Sequence, residues 1–359
     1  MTALAEEIAR TYGTPAVVID LDKVEANIAR LQAACDAAGI ANRPHIKTHK
    51  SPELARLQRE AGARGITCQK LGEAEVMADG GLDDILISYN ILGEEKLGRL
   101  GALQRRVRMI VAADNPVTIS GLPKAAEIAG RNLEVVVECD TGRQRAGVET
   151  PAEAVELAKM IAGSKGLTFA GFMMYPPEDG WERTQRFLDT ANAGLRDAGL
   201  EAPGMVSTGG SPNIPNMGKL KGSTEHRSGT SIFNDRMQVA AGVATLDDCA
   251  LSVYATVVSR AGPERGILDS GSKTLTSDTG GLEGHGYILE YPAAKIAKFA
   301  EEHGFLDLSA SNDRPKVGEV VRIIPNHVCV VVNMVDRLIT VRGDKLIGEL
   351  PVAARGKLT

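Results

Sequence analysis

The run Leu133-Glu134-Val135-Val136-Val137-Glu138-Cys139 passes directly into Asp140-Thr141-Gly142-Arg143-Gln144-Arg145-Ala146-Gly147. β-Branched residues in a short apolar run favour a buried strand, and the glycines that follow mark a turn. A helical pattern over 151–161 comes next. Similar runs lie at 44–47, 65–69, 84–88, 108–112, 168–175, 205–207 and 224–227, which with 133–139 makes eight strand candidates. Helical patterns at 52–61, 72–78 and 182–198 fall between them, while the last joint, 209–222, reads as a Gly/Pro/Asn loop. Eight strands with intervening helices predict an α/β fold, a (β/α)8 TIM-type barrel, with a doubly wound sheet as the rival.

Past Asp235 the texture changes. The segments 250–259, 265–269, 320–324 and 329–335 read as strands separated by Gly, Pro and Asp, with one helix at 293–303. A further strand at 15–20 precedes a helix over 21–38 and is surplus to the eight. The predicted domains are therefore a barrel over 22–235 and a β-rich C-terminal domain over 236–359, joined by the N-terminal segment 1–21. The length of 359 residues exceeds the roughly 250 of one barrel, which favours the same division.

A net charge of −5 with acids and bases interspersed leaves no basic face for nucleic acid. The most apolar stretches, such as 133–137, are far shorter than the ~20 residues needed to span a bilayer, so no membrane partner is expected. Residues 1–11 are amphipathic, without the basic-then-apolar order of a secretory signal. Five cysteines, an odd set with no C-x-x-C spacing, suit reduced thiols and a cytoplasmic location. Cys35 falls in a helical pattern and reads as inert core.

Catalytic groups of such barrels collect where strands end and loops to helices begin. Arg43-Pro44-His45-Ile46-Lys47-Thr48-His49-Lys50 places Lys47 at such an end. Its amine would form an imine with a carbonyl cofactor if its surroundings keep part of it neutral. Lys50 lies beyond the strand, beside Ser51 as a helix N-cap, and is expected to be solvated. Other strand ends offer Arg145, Tyr175, Ser207-Thr208-Gly209-Gly210 and Arg227-Ser228-Gly229-Thr230-Ser231. Singly, these glycines are ordinary turns. Two small-residue loops after the final strands, opposite a lysine on the first, suit a phosphate-bearing cofactor, because glycine lets backbone N–H groups approach an anion. Near the C-terminus, Asn326-His327-Val328-Cys329 puts imidazole and thiol two residues apart, on one face if the segment is extended. That pair suits Zn²⁺ or another borderline divalent ion, with positions left for water and substrate; a core pair is the bland alternative.

Taken in order, Pro-His-x-Lys-Thr-His-Lys, Asp-x-Gly-x-x-Arg-x-Gly, Ser-Thr-Gly-Gly, Leu268-Asp269-Ser270-Gly271-Ser272-Lys273 and Pro325-Asn326-His327-Val328-Cys329 resemble a family. The sequence is similar to the fold-type III pyridoxal-phosphate enzymes, the alanine racemase-like group, and within it the metal-activated D-threonine aldolase and D-serine dehydratase branch. The resemblance runs over nearly the whole chain. It implies that Lys47 is the imine lysine, Arg145 contacts the cofactor's phenolic oxygen and Tyr175 lines its ring. It implies a cradle for the cofactor in Ser207, Thr208, Gly209, Gly210, Gly229 and Thr230, with the glycines and Thr230 on the phosphate. Arg227 would face the pyridine nitrogen, and His327 with Cys329 would bind a divalent metal: Mn²⁺, Zn²⁺ or Mg²⁺. The family also implies a homodimer with shared active sites and a small amino-acid substrate.

One departure stands out. Some D-threonine aldolases carry a histidine after the tyrosine corresponding to Tyr175; here Pro176-Pro177 follow. Removal of the substrate hydroxyl proton then falls to His49, His45 or a metal-bound water. The expected activity is retro-aldol cleavage of a D-β-hydroxy-α-amino acid to glycine and an aldehyde. Dehydratase-type elimination from D-serine or 3-hydroxyaspartate, giving a 2-oxo acid and ammonia, is the alternative. A racemase or a non-catalytic cofactor carrier belongs to a different class, and neither calls for the metal pair.

Overall fold

The computed structural model describes residues 2–359, which divide into two compact units. One contains Arg30–Lys47, Pro52–Gly229 and Gly356–Thr359. The other contains the segment ending at Ala29, Thr48–Ser51 and Thr230–Arg355. The chain thus changes unit more often than the predicted boundaries at 21 and 235 allow.

In the first unit, eight strands run parallel: Ala41–Asn42, Ile66–Cys68, Asp84–Ile87, Arg108–Ala113, Leu133–Cys139, Leu167–Met174, Met205–Gly209 and Glu225–Arg227. The last pairs with the first through Ala41↔Glu225 and Asn42↔His226. The remaining seam is closed by the His45↔Thr67 bridge, with the Thr67 N–H donating to Pro44 O at 2.8 Å. The barrel is therefore complete. Its first strand lies earlier than the 44–47 expected, because Pro44 has no N–H to give a ladder. Lys47 sits instead in the 3-10 turn Ile46–Thr48.

Local signals fix the helices between the strands. Thr150 and Glu153 form a capping box and Pro151 opens the helix Pro151–Gly163. Asn115 accepts from Thr118 N ahead of Pro116–Ala129. The joint expected to be loop contains a 3-10 run, Ser211–Lys219.

Inside the barrel, Leu86, Ile110, Ala112, Val136, Met173 and Met205 form one buried cluster across five adjacent strands. Side chains alternate along a strand, so Asp84, Arg108 and Glu134 lie on the same face, two residues nearer the strand starts. An apolar band thus separates charged strand starts from polar strand ends.

The second unit is a mostly antiparallel sheet. Leu251–Arg260 pairs with Ala16–Asp20, Arg265–Leu268 and Val320–Ile324. The surplus N-terminal strand joins this sheet, as predicted, and also runs parallel to Arg337–Arg342. Two expectations fail here. The segment 329–335 is not a strand: Val328–Asn333 is a helix, which buries Val328, Val331 and Val332 at the i, i+3, i+4 spacing of a helical face. The predicted helix at 293–303 is instead the strand Lys295–Phe299, which buries Ile296 and pairs with Gly304–Asp307.

Candidate active site

At the strand ends of the barrel, half-buried Lys47 points its Nζ at Gln69 Oε1, 3.4 Å away. His45 is buried beside it, its Nδ1 3.4 Å from the Lys47 N–H and its Nε2 3.2 Å from Gln69 Oε1. Burial, then the positive charges of Lys47, Arg227 and Arg145, hold the His45 pKa well below the ordinary range, although the Gln69 contact opposes this. Its ring is neutral at physiological pH.

The turn after Leu133–Cys139 wraps around one carboxylate. Asp140 Oδ1 accepts from the N–H groups of Gly142 and Arg143 at 2.7 Å each, and Oδ2 accepts from Arg145 N at 2.9 Å. Arg145 is thereby carried to 5.1 Å from the Tyr175 ring centre, with Arg143 at 4.3 Å from the same ring. Behind the ring stands Gly210, at φ +106; a Cβ there would come within 2.2 Å of Tyr175. At Gly209 a Cβ would lie 3.0 Å from Arg227 O. This cradle exists only because both residues lack side chains. The Gly210 N–H is engaged by Arg227 O at 2.8 Å, so an anion would be met by other amides of these loops. Ser211 and Ser228 tie the two loops together through hydroxyls 2.7 Å apart. Thr208 Oγ1 is turned to His226 Nδ1 at 3.2 Å.

Arg227 is buried. Its guanidinium donates to Ser207 Oγ and to Met174 O, the latter at 3.1 Å. Ser207 donates to Glu225 Oε1 at 2.6 Å, and Glu225 Oε2 accepts from Arg43 Nε at 2.8 Å. Burial lowers the Arg227 pKa to about 10, partly offset by Glu225 and Glu138 and reinforced by Arg145 and Arg43. Glu138, 3.6 Å from Arg145, is itself raised by burial. A planar, phosphate-bearing cofactor fits these residues: an amine to hold it, an aromatic ring, a side-chain-free cradle and a buried cation.

The second unit holds the other predicted set. His327 precedes the helix Val328–Asn333 and Cys329 lies in its first turn, not on an extended strand. His327 Nδ1 is 3.2 Å from Asp235 Oδ2, which also accepts from Val328 N at 3.1 Å. Burial would lower the His327 pKa, yet hydrogen bonds to Asp235 and Cys329 raise it to about 10. Thr48 Oγ1 lies 3.2 Å from Cys329 Sγ and Thr230 Oγ1 lies 3.8 Å from it. No three His, Cys, Asp or Glu side chains converge among the described residues. The donors present fit a two-ligand site: an imidazole with one nitrogen fixed by a carboxylate, beside a thiol.

His49 is fully buried, its Nδ1 accepting from Ser51 N at 3.2 Å. Lys50 is buried rather than solvated, with φ 54 and its ammonium 3.5 Å from Ala354 O. Cys35 is core as expected, burial pushing its thiol up to about 12. Sequence reasoning missed Glu225 and Asp235. Asp235 carried a findable signal, an N-cap before Arg236–Ala240, where its Oδ1 accepts from Gln238 N.

Residues 19–237 match the family described as alanine racemase, N-terminal domain, and residues 250–341 match a putative serine dehydratase domain. The chain is 33% identical to a D-threonine aldolase of Arthrobacter sp., over 96% of this chain and 93% of that protein. It is 34% identical to the D-threo-3-hydroxyaspartate dehydratase of Delftia sp. (strain HT23), over 89% and 91% respectively. The crystal structure of a D-threonine aldolase from Filomicrobium marinum superimposes with a TM-score of 0.89 at 32% identity, covering 96% of both chains. A metal-free cysteine-to-alanine mutant of a D-threo-3-hydroxyaspartate dehydratase superimposes at 0.86 with 29% identity, covering 98% and 99%.

Proposed function

The chain belongs to the alanine racemase-like enzymes of the D-threonine aldolase and D-serine dehydratase branch, and from that premise we propose a specific lyase activity. It is a pyridoxal-phosphate- and divalent-metal-dependent enzyme that cleaves D-β-hydroxy-α-amino acids to glycine and an aldehyde. The observation that carries the metal-dependent lyase reading is His327, oriented by buried Asp235 beside Cys329, a pair that resembles the dehydratase form of the metal site at least as closely as the aldolase form. Neither a racemase nor a cofactor carrier needs such a donor pair.

Lys47 would hold the cofactor, Arg145 and Tyr175 would flank it, and the loops at Ser207–Gly210 and Gly229–Thr230 would receive its phosphate. Bound, the cofactor supplies a sink for the electron pair left at Cα, and a divalent ion supplies a Lewis acid for the β-hydroxyl. The chain's own groups then move protons. Lys47 Nζ returns one to Cα, which completes glycine. Neutral His45 has Nδ1 facing the Lys47 N–H and so carries its hydrogen on Nε2, while His49 Nδ1 accepts from Ser51 N. An Nε2–H of this kind donates a proton, and taking one would fall to the Nδ1 lone pair.

A second reading has its own support: Pro176-Pro177 stand where a histidine base would, and a dehydratase is among the similar proteins. In that version Lys47 Nζ takes the α-proton, and the products are a 2-oxo acid and ammonia. Product analysis with D-threonine and D-serine decides the matter. Glycine with little ammonia is expected; stoichiometric ammonia without glycine would establish elimination. The proposal includes a homodimer with shared sites, which a catalytically competent monomer in light scattering would refute. It also includes a cytoplasmic location, supported by an odd set of five cysteines with no C-x-x-C spacing and tested by cell fractionation. No helix among the described residues is long and apolar enough to cross a membrane.

A further inference from the structure

We propose that Glu225 is a positioning residue that acts through Ser207 to aim Arg227 and balance its charge, setting the field at the ring nitrogen of the bound cofactor. This rests on the reading in which Arg227 faces that nitrogen.

The argument begins with a hydroxyl that has one hydrogen. Ser207 spends it on Glu225 Oε1 at 2.6 Å, so only its lone pairs face Arg227. The carboxylate is itself locked. Its Oε2 accepts from Arg43 Nε at 2.8 Å, and Arg43 Nη1 donates to Asp84 Oδ1 at 2.5 Å. Asp84 Oδ2 in turn accepts from Arg108 at 2.8 Å. A continuous polar chain therefore runs from the barrel's strand starts, past the apolar band, to the guanidinium at the strand ends.

Arg43, Ser207 and Glu225 are each fully buried. Such desolvated charges have no alternative partners in solvent, so each fixes the next. Two donors of Arg227 are committed to Ser207 and Met174 O, which leaves three N–H bonds whose directions follow from those two. A guanidinium offers no acceptor, so whichever N–H meets a ring nitrogen keeps that nitrogen unprotonated. The charges bearing on Arg227 are Glu225 and Glu138 on one side of the balance and Arg145 and Arg43 on the other. Removing Glu225 tips that balance toward positive.

In Glu225→Gln the amide can accept from Arg43 or from Ser207, never both, so one buried donor loses its partner. The test is a pH titration of the bound cofactor's absorbance, with cofactor content and steady-state kinetics measured alongside. Glu225→Gln is expected to bind cofactor stoichiometrically and to move the absorbance midpoint down by about half a pH unit or more. Its kcat should fall about ten- to a hundred-fold with KM nearly constant, as expected for losing one buried hydrogen bond. Ser207→Ala, which keeps every charge, should also move the midpoint. Combined with Glu225→Gln it should add little, since both act through one contact. Glu134→Gln, which breaks a half-exposed pair with Arg108 at the strand starts, should leave the midpoint in place.

A folded, loaded Glu225→Gln enzyme with the wild-type midpoint would overturn the proposal. If that variant does not fold, Ser207→Ala decides: a moved midpoint supports the relay and an unmoved one overturns it. Wild-type protein that binds no pyridoxal phosphate would instead refute the functional reading on which the inference rests.

Discussion

The two candidate residue sets, one in each unit, are held by opposite physical means. In the barrel, Arg43 and Glu225 are withdrawn from water altogether, and each is fixed by charges equally buried. In the other unit, the His327 side chain is 22% exposed and is held by Cys329 and by a carboxylate that also caps a short helix. Desolvated pairs are costly to break, because removing one partner strands the other. A half-open imidazole and thiol cost the fold little and lie within reach of a ligand. Stranding one partner of the buried Arg43–Glu225 pair should therefore cost structure, whereas truncating His327 or Cys329 should cost chemistry alone.

The largest effect expected is at Lys47. Lys47→Ala should abolish turnover and leave no cofactor attached to the chain after borohydride reduction. Lys50→Ala should keep the attachment at Lys47, although Lys50 proved to be buried. A reduced adduct mapped to Lys50 would overturn the assignment. Next come His327→Ala and Cys329→Ala. Each should bring turnover to background while the cofactor content stays at the wild-type level. Full activity in metal-free buffer, verified by elemental analysis, would remove the metal from the reading and with it the contrast drawn above.

How much of this was legible beforehand varies with the kind of signal. The strand Leu133–Cys139 was readable to the residue, because β-branched runs bounded by turns report local burial. The N-terminal strand at Ala16–Asp20 was assigned to the correct sheet because the eight barrel strands left it over. Val328–Asn333 misled because a valine-rich run shorter than two helical turns suits either structure. The buried spacing of Val328, Val331 and Val332 decides it only once a partner surface exists. Lys295–Phe299 failed the other way, since its alanine and lysines favour a helix and its pairing with Gly304–Asp307 is tertiary. Glu225 gave no signal whatever. A glutamate in a three-residue strand between His226 and Thr224 is ordinary in sequence, and its role comes from Arg43, far away along the chain.

Stability separates the regions more finely. Arg43→Met leaves Glu225 and Asp84 without their shared cation, and should destabilise the fold by about 3–5 kcal/mol in urea titration. An unchanged midpoint of unfolding would mean that the pair contributes nothing. His226 offers a pH-dependent counterpart. It is fully buried, and burial followed by the charge of Arg227 lowers its pKa from 6.5 to about 4. The unfolded chain then binds the extra proton first. Stability is full above pH 6.5 and drains away as pH falls toward 4, by about 3 kcal/mol in all. His226→Gln should flatten this slope relative to wild type between pH 7 and 4.5; parallel slopes would place the acid sensitivity elsewhere.

Asp235 gives the smallest and most discriminating effect, because it serves both the helix and the imidazole. Its Oδ1 accepts from Gln238 N at 3.0 Å and its Oδ2 faces Val328 N and His327 Nδ1. Asparagine is as good an N-cap as aspartate, so Asp235→Asn should keep the bond to Gln238 N, while the buried Val328 N–H meets the amide NH2 and loses its acceptor, which lowers the metal-free melting temperature less than Asp235→Ala does. What it cannot keep is a carboxylate against the imidazole. Loss of such an orienting partner weakens metal binding by about ten- to a hundred-fold. Competition with a chromogenic chelator should show that drop in Asp235→Asn, while Asp235→Ala should lose both affinity and stability. If Asp235→Asn bound metal as tightly as wild type, Asp235 would be a cap and nothing more. The half-open site would then owe its orientation to the helix rather than to charge.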